Sequence, residues 1–483
     1  MNSFEVNLES AALRKAVAPE VWIQFLSNQR WFSGKGRDIT SVYPVASCPV
    51  DSALAVVILR VGYQSEFEDF VMPLLVGTGE ETDAIAWVNG RPLLDALKYS
   101  EGWRRLIGVF SHSTHPGHKL TMRAELIGGR LPSSEGIHLG SADQSNSWAI
   151  MGGMFVKAYR RLLAGENLDV TVGRFLTMRK VANAPVLRGV LVGEGAWGVA
   201  TLLSVQEAMP NQGTGWELAC SQVASVARKE LISYEPWTLL GQRLAQIHKA
   251  LASEGDDAPG VLPINTPELE SVSRGAQALA RSVLTELGQS ELVPEAAEQA
   301  AMLKTKISKL LNRLKAPRLP AGSCHRQRIH GDLHLGQVLW TGDDFTIIDF
   351  EGEPARAFEE RLRKHSVAKD VAGMLRSFDY AARAGLPLDA DATTRQEARI
   401  WRNLARNAFR EGYEDAIGAE PFLPSDLALR NALIAMYELE KAFYELHYEL
   451  GHRPDWVGIP LAGLLDLAED PAPVKKRATR PKT

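Results

Sequence analysis

Apolar residues recur at two different periods along this chain of 483 residues, and the change of period divides it. The first two hundred residues are dominated by short alternating runs, the signature of half-buried strands. Residues 53–63 and 66–76 read as paired strands, and residues 83–97 as a strand mixed with a short helix. Residues 120–126, 148–150, 154–159, 185–192 and 199–205 add further strands. Helical spacing in this half is confined to residues 9–26 and to residues 168–178, the latter behind Asn167, a residue type that caps helices. From Trp216 onward the apolar positions return at i, i+3 and i+4, over residues 218–226, 235–251, 267–287, 294–315, 369–384, 393–416 and 424–450. The pattern predicts an α+β chain. A first unit spans residues 1–100, a sheet with one helix spans 101–212, a mainly helical part spans 213–471, and a tail spans 472–483. Length allows two or three domains.

Composition narrows the function classes. The net charge of −4 implies no general polyanion-binding role, so no nucleic-acid partner is expected. The basic, Pro-containing tail PVKKRATRPKT reads as a disordered end. Cys48, Cys220 and Cys324 are scattered without paired spacing, which fits neither a disulfide framework nor a zinc site and agrees with a reducing cytoplasm. The start, MNSFEVNLES, has no hydrophobic signal core, and no apolar run reaches membrane-span length, so a cytoplasmic protein without membrane attachment is expected.

The densest chemistry lies in RIHGDLHLGQVLWTGDDFTIIDFEGEP, which begins at Arg328. Two short strand-like runs, residues 338–340 and 345–348, flank a turn at residues 341–344 and predict a hairpin. Its open end would bring Gln337 and Asp349 together, with Asp332 in the preceding loop. Phosphoryl transfer by kinases uses this order: a His-x-Asp loop, an amide side chain, a hairpin, and a metal-binding Asp. Asp332 is the candidate base for the attacking hydroxyl. Gln337 and Asp349 are candidate Mg²⁺ ligands, since this ion takes oxygen donors. Lys157, on a strand after the Gly152-Gly153 turn, stands where a kinase keeps the cation for its nucleotide phosphates, or else is an edge-strand Lys facing water. Gln206, Glu207 and Met209 end a strand at Pro210 and are placed as the hinge that meets adenine. The segment Asn28–Arg37 mixes aromatics, glycines and cations and reads as a packed Arg/Trp turn in preference to an anion site.

The strings QRWFSGKGR, SADQSNS, IHGDLHLGQVL, IDFEGEPARAFEER, KDVAGMLRSFDYAA and KAFYELHYELGHRPDWVGIPLAGL resemble those of the bacterial maltokinases. These enzymes form part of the aminoglycoside-phosphotransferase-like branch of the protein-kinase fold. The resemblance runs from about residue 20 to 470 and is most specific in the last four strings. It implies a two-lobed kinase-like fold with an extra N-terminal cap and a helical C-lobe. It also implies ATP and Mg²⁺ as cofactors and transfer of the γ-phosphate to the anomeric hydroxyl of maltose. The product, maltose 1-phosphate, would feed α-glucan and glycogen synthesis. By analogy Asp332 is the base, Gln337 and Asp349 hold Mg²⁺ with Glu351 assisting, and Lys157 meets the ATP phosphates. Ser145, Asn146 and Ser147 of the polar turn are assigned to the nucleotide as well. A monomer is expected, with a trehalose-converting enzyme as its candidate partner.

A sugar needs charged or amide partners and an aromatic face. Residues 440–456 supply Lys441, Glu445, Tyr448, Glu449, Arg453 and Trp456, with Lys441, Glu445 and Glu449 at one-turn spacing on a shared face. The competing reading of that face is an exposed salt-bridge ladder. His334, two residues after Asp332, is expected beside the same acceptor. One departure from the resemblance concerns Lys157: relatives carry Glu in a V-E-V-G-R-F-L string where this chain has Thr171. Asp169 or Glu166 would have to replace it, unless the pair is dispensable. Two further readings stay open: a glucosamine or other sugar kinase with the same machinery, and a nucleotide-binding pseudokinase.

Overall fold

The computed structural model describes residues 6–79, 81–128, 135–140, 145–253, 260–320, 322–354, 356–387 and 389–469. The tail expected at 472–483 and the first four residues of the SADQSNS turn lie outside the described residues. The chain divides into two compact units. One comprises Met1–Pro210 with Glu353–Leu362, and the other comprises Asn211–Gly352 with Arg363–Thr483.

The first unit opens with α1 (Ser10–Ala16) and α2 (Pro19–Ser27), where periodicity predicts a single helix over 9–26. Ala18 precedes Pro19 and is forced into extended backbone (ψ 147°), which splits the helix. A five-stranded antiparallel sheet follows: β1 (Ser41–Pro49), β2 (Leu54–Gly62), β3 (Phe67–Val76), β4 (Ala86–Val88) and β5 (Arg91–Asp95), in the order β1-β2-β3-β5-β4. β1 has no counterpart in the sequence reading. Its Pro44 interrupts the alternation, and the ladder shifts register between Pro44 and Ala46. β2 is apolar on both faces because both are covered. Val57 and Leu59 belong to one core with Trp22, Leu26 and Phe32, while Val56 and Ile58 belong to another with Trp103 and Leu203. The Asn28–Arg37 segment is a packed turn. Trp31 and Phe32 bury against Phe70, and Arg37 lies over the Tyr63 ring at 3.4 Å while pairing with Glu66 at 2.6 Å.

After α3 (Ser100–Gly108) comes a seven-stranded sheet. It contains β6 (Thr114–His115), β7 (Thr121–Leu126), β8 (His138–Leu139), β9 (Ser147–Met151), β10 (Met154–Ala158), β11 (Leu187–Gly195) and β12 (Gly198–Glu207), ordered β6-β7-β11-β12-β10-β9-β8. The helix α4 (Leu168–Met178) joins β10 to β11, and Asn167 caps it by accepting the Asp169 N–H at 2.9 Å. The two sheets share one core in the first unit.

The second unit is helical apart from two short ribbons. It contains α5 (Gly215–Ala227), α6 (Glu235–Ala252), β13 (Leu262–Pro263), α7 (Thr266–Gln289), α8 (Pro294–Arg313) and β14 (His325–Arg326). The hairpin β15 (Val338–Trp340) and β16 (Phe345–Ile347) follows. The chain then contributes α9 (Phe358–Arg361) to the first unit and returns as α10 (Ala368–Ala384), α11 (Ala392–Ile417), α12 (Leu427–His452) and α13 (Gly458–Ala468). α5 and α7 each begin with a full capping box, Thr214/Glu217 and Asn265/Glu268. Trp237 of α6 stacks on Phe345 of the hairpin and meets Phe378 of α10 and Trp401 of α11 edge-on. No helix among the described residues is long and apolar enough to cross a membrane.

Candidate active site

In the second unit the chemistry is concentrated in the loop before the hairpin. Gly331 has φ +86°, which favours glycine, and a Cβ built on it would stand 3.4 Å from the Gly352 Cα. The backbone N–H groups of His330 and Gly331 donate to the two oxygens of Asp370, at 2.8 and 2.9 Å. Asp370 is buried on α10 and also receives Nε2 of His248 at 3.1 Å, whose Nδ1 meets the Tyr413 hydroxyl at 2.9 Å. Burial works against the Asp370 charge. The His248 hydrogen bond and the backbone donors prevail, and the carboxyl is held below its ordinary range. This anchor was not read from the sequence; the only sign was one carboxylate among the apolar positions of a helix.

The His330 ring lies against Phe350, and its Nε2 donates to the Ile348 carbonyl at 2.8 Å, leaving Nδ1 to accept the Asp332 N–H at 3.3 Å. Both bonds stiffen the loop that presents Asp332. His334 caps the short turn Leu335–Gln337, accepting the Gly336 N–H at Nδ1 (3.0 Å). Burial pushes its pKa down against the pull of Asp332, which favours a neutral ring.

The hairpin pairs Val338 with Ile347 and Trp340 with Phe345. At its open end the Ile348 N–H reaches the Gln337 carbonyl (3.0 Å), and the Gln337 side-chain amide donates to Asp349 Oδ2 (3.1 Å). The structure thus brings Gln337 and Asp349 together. Asp349 has φ +66°, a left-handed conformation that costs a non-glycine residue roughly 1–2 kcal/mol. Such strain concentrates at functional positions. Glu351 is buried two residues further on. An amide oxygen and two carboxylates are hard donors of the kind Mg²⁺ takes, so these residue types fit that ion.

The predicted acceptor segment separates into two groups. Lys441 on α12 reaches Asp332, Nζ to Oδ1, at 3.2 Å. Glu445 is bound by Arg376, whose Nε and Nη2 donate at 2.9 and 2.7 Å, and Arg376 also donates to Asp379 at 2.6 Å. Glu449 is buried and bound by Arg453 (2.6 Å) and by the Tyr380 hydroxyl (3.2 Å). The shared face is therefore a ladder of ion pairs, but an internal one. Tyr448 is exposed and stacks on His452, while Arg453 lies over the Trp456 ring at 4.8 Å. Arg376 is fully buried; burial opposes its charge, but Glu445 and Asp379 outweigh that and raise its pKa.

In the first unit Lys157 is not an edge-strand cation. It is buried on β10, between β9 and β12, and its Nζ lies 3.8 Å from Asp169 Oδ2. The same oxygen accepts the Gln206 amide at 3.2 Å and the Tyr159 hydroxyl at 3.3 Å. Asp169 stands in the first turn of α4, where the helix N-terminus favours a carboxylate. Thr171 instead donates to Glu166 (2.9 Å), and Glu166 pairs with Arg174. The partner of Lys157 is therefore Asp169, two residues before the position where it was missing. Glu207 accepts from Arg188, and the Ala208 N–H binds the Gly153 carbonyl at 2.9 Å, with Met209 following, half-buried. Ser147 accepts from Arg160 Nε at 2.8 Å, Asn146 is half-buried, and Ser145 is exposed.

Residues 199–405 match a family model described as the phosphotransferase enzyme family, and residues 25–98 match one described as the maltokinase N-terminal cap domain. A glucosamine kinase of Streptacidiphilus jiangxiensis is 27% identical over 334 residues, covering 67% of this chain and 72% of that protein. A glucosamine kinase of Mycolicibacterium smegmatis is 27% identical over 340 residues, covering 68% and 79%. Among solved structures, a glucosamine kinase in complex with glucosamine, ADP and inorganic phosphate superposes with a TM-score of 0.68 at 20% identity, over 96% of this chain and 99% of that one. A second crystal form of a glucosamine kinase gives 0.69 at 21% identity, with the same coverage. The fold is kinase-like, with an N-terminal cap and a helical C-terminal region.

Proposed function

We propose that this chain, a member of the phosphotransferase enzyme family bearing the maltokinase N-terminal cap domain, phosphorylates maltose with ATP at the anomeric hydroxyl, giving maltose 1-phosphate. The observation that carries the reading is the loop and hairpin of the second unit. Asp332 is held by an anchored backbone beside Lys441, and Gln337 meets Asp349 at the adjoining open end. Asp332 takes the proton of the acceptor hydroxyl as its oxygen attacks the γ-phosphorus, and the bond to the bridging oxygen of the departing ADP breaks. Gln337, Asp349 and Glu351 would hold Mg²⁺, which supplies neutralisation of phosphate charge. Lys157, fixed by Asp169, serves the phosphates. The backbone at Gln206, Glu207 and Met209 serves the adenine, and Ser145, Asn146 and Ser147 close over the nucleotide. The protein contributes position and charge, because this transfer asks little covalent work of it.

The choice of a neutral acceptor rests on the ion pairs of α12. An ammonium sugar calls for an uncommitted carboxylate, whereas Glu445 and Glu449 are each bound by a guanidinium, and the cation Lys441 stands at Asp332. His334, Tyr448 and Trp456 remain for hydroxyls and a sugar face, with Arg453 reaching them only through the part of its guanidinium not given to Glu449. The second reading, glucosamine, is favoured by the identity of the two curated relatives. Incubation of the chain with ATP, Mg²⁺ and either sugar separates them, read by ³¹P NMR of the product. A phosphate coupled to the anomeric proton of maltose is expected. Turnover of glucosamine with none of maltose would overturn the maltose reading, and turnover of neither, across a wider sugar panel, would leave the pseudokinase.

A further inference from the structure

Lys441 reads from its spacing as one of the acceptor-binding side chains. We infer that it serves the base instead: its ammonium is the charge partner that positions Asp332, an inference that rests on Asp332 being the base of the proposed reaction. The geometry has four parts. Lys441 Nζ lies 3.2 Å from Asp332 Oδ1, with both side chains largely shielded from water. Its neighbour one turn along α12, Glu445, would ordinarily compete for the ammonium in an i,i+4 pair. Two bonds from Arg376 hold Oε2 of that carboxylate, and Arg376 is fully buried and braced in turn by Asp379. Burial, with Lys441 behind it, also disfavours a charge on His334, against the pull of Asp332. The Tyr444 ring, 4.8 Å from Nζ, forms a further wall.

Lys441 therefore acts through Asp332. It orients one carboxylate oxygen, so the other is left to meet the acceptor hydroxyl. It also keeps a positive charge next to the place where negative charge gathers as the phosphoryl group moves, which is where fixed cations are most effective.

The test is a double-mutant cycle on the full chain with ATP, Mg²⁺ and the sugar that the wild type turns over. Lys441→Met should lower kcat about 10- to 100-fold, the scale of one charge-assisted hydrogen bond. KM for the sugar and for ATP should move less than about threefold, and Lys441→Arg should restore most of the rate. In the Asp332→Asn background, Lys441→Met should cost nothing further, because its route to the reaction is gone. A rise in sugar KM with kcat intact would return Lys441 to the acceptor site and overturn the inference. So would multiplicative effects in the double variant, or no rescue by Arg in a protein that melts like the wild type. Full activity of Asp332→Asn would overturn the assignment of the base itself, a separate failure.

Discussion

Asp370→Asn isolates the anchor of the loop that carries Asp332. Three N–H donors converge on Asp370: His330 N and His248 Nε2 on one oxygen, Gly331 N on the other. An amide offers one oxygen, so in either orientation its NH₂ faces a donor. The better orientation loses the bond to Gly331 and leaves a buried donor unsatisfied. It also turns two charge-assisted bonds into neutral ones. After allowing for the smaller desolvation of an amide, the loss comes to about 3 kcal/mol, or roughly 6–12 °C in the unfolding midpoint for a unit of this size. Circular dichroism at pH 7 measures it, and kcat should fall with it because Asp332 rides on the same loop. The pH dependence gives an independent check. The Asp370 carboxyl is held below its ordinary range in the folded chain. Its stabilisation is therefore complete above the pKa of an unfolded aspartate, near 4, and is lost as pH falls through the depressed value. The gap between wild type and variant should be constant above about pH 5 and close in acid. A midpoint within 2 °C of wild type at pH 7 (roughly half a kcal/mol), or a gap that widens in acid, would refute the reasoning.

Other outcomes follow from the same structure. Asp332→Asn should cut kcat by roughly 10²–10⁴-fold, with nucleotide affinity unchanged by calorimetry. Asp169→Asn should raise the KM for ATP about tenfold, since a buried ion pair broken on one side leaves Lys157 poorly held, while Glu166→Gln should leave it unchanged; the reverse result would reassign the partner. Gly331→Ala should destabilise by about 1–2 kcal/mol through its left-handed backbone, read from a denaturation midpoint.

What the sequence disclosed, and what it withheld, follows the range of the interactions. The hairpin, the Asn167 cap and the long helices were legible because they depend on neighbours a few residues apart. Gln337 and Asp349 could be paired in advance because a tight hairpin fixes its own register. β1 was not legible, since Pro44 and a register shift break its alternation. The split at Pro19 was written in the sequence but was overridden by the apolar spacing of residues 9–26. Asp169 was one of two candidates until β10 and α4 were seen side by side. Asp370 acts on a loop forty residues earlier in the chain, and a lone carboxylate among apolar helix positions does not say on what. The one-turn spacing of Lys441, Glu445 and Glu449 placed them on one side of a helix, but the arginines that claim Glu445 and Glu449 come partly from α10, which no spacing rule could supply.

The way the backbone threads the two units has a practical consequence for engineering. It passes from the first to the second at Pro210, returns at Glu353 for a brief stretch, and leaves again after Leu362. A gene cut once at Pro210 would strand that stretch in the wrong half, depriving Gly165 of its Phe358 neighbour. Chimeras that trade the two units between relatives should therefore carry residues 353–362 along with the N-terminal piece, through two extra splice points placed either side of it.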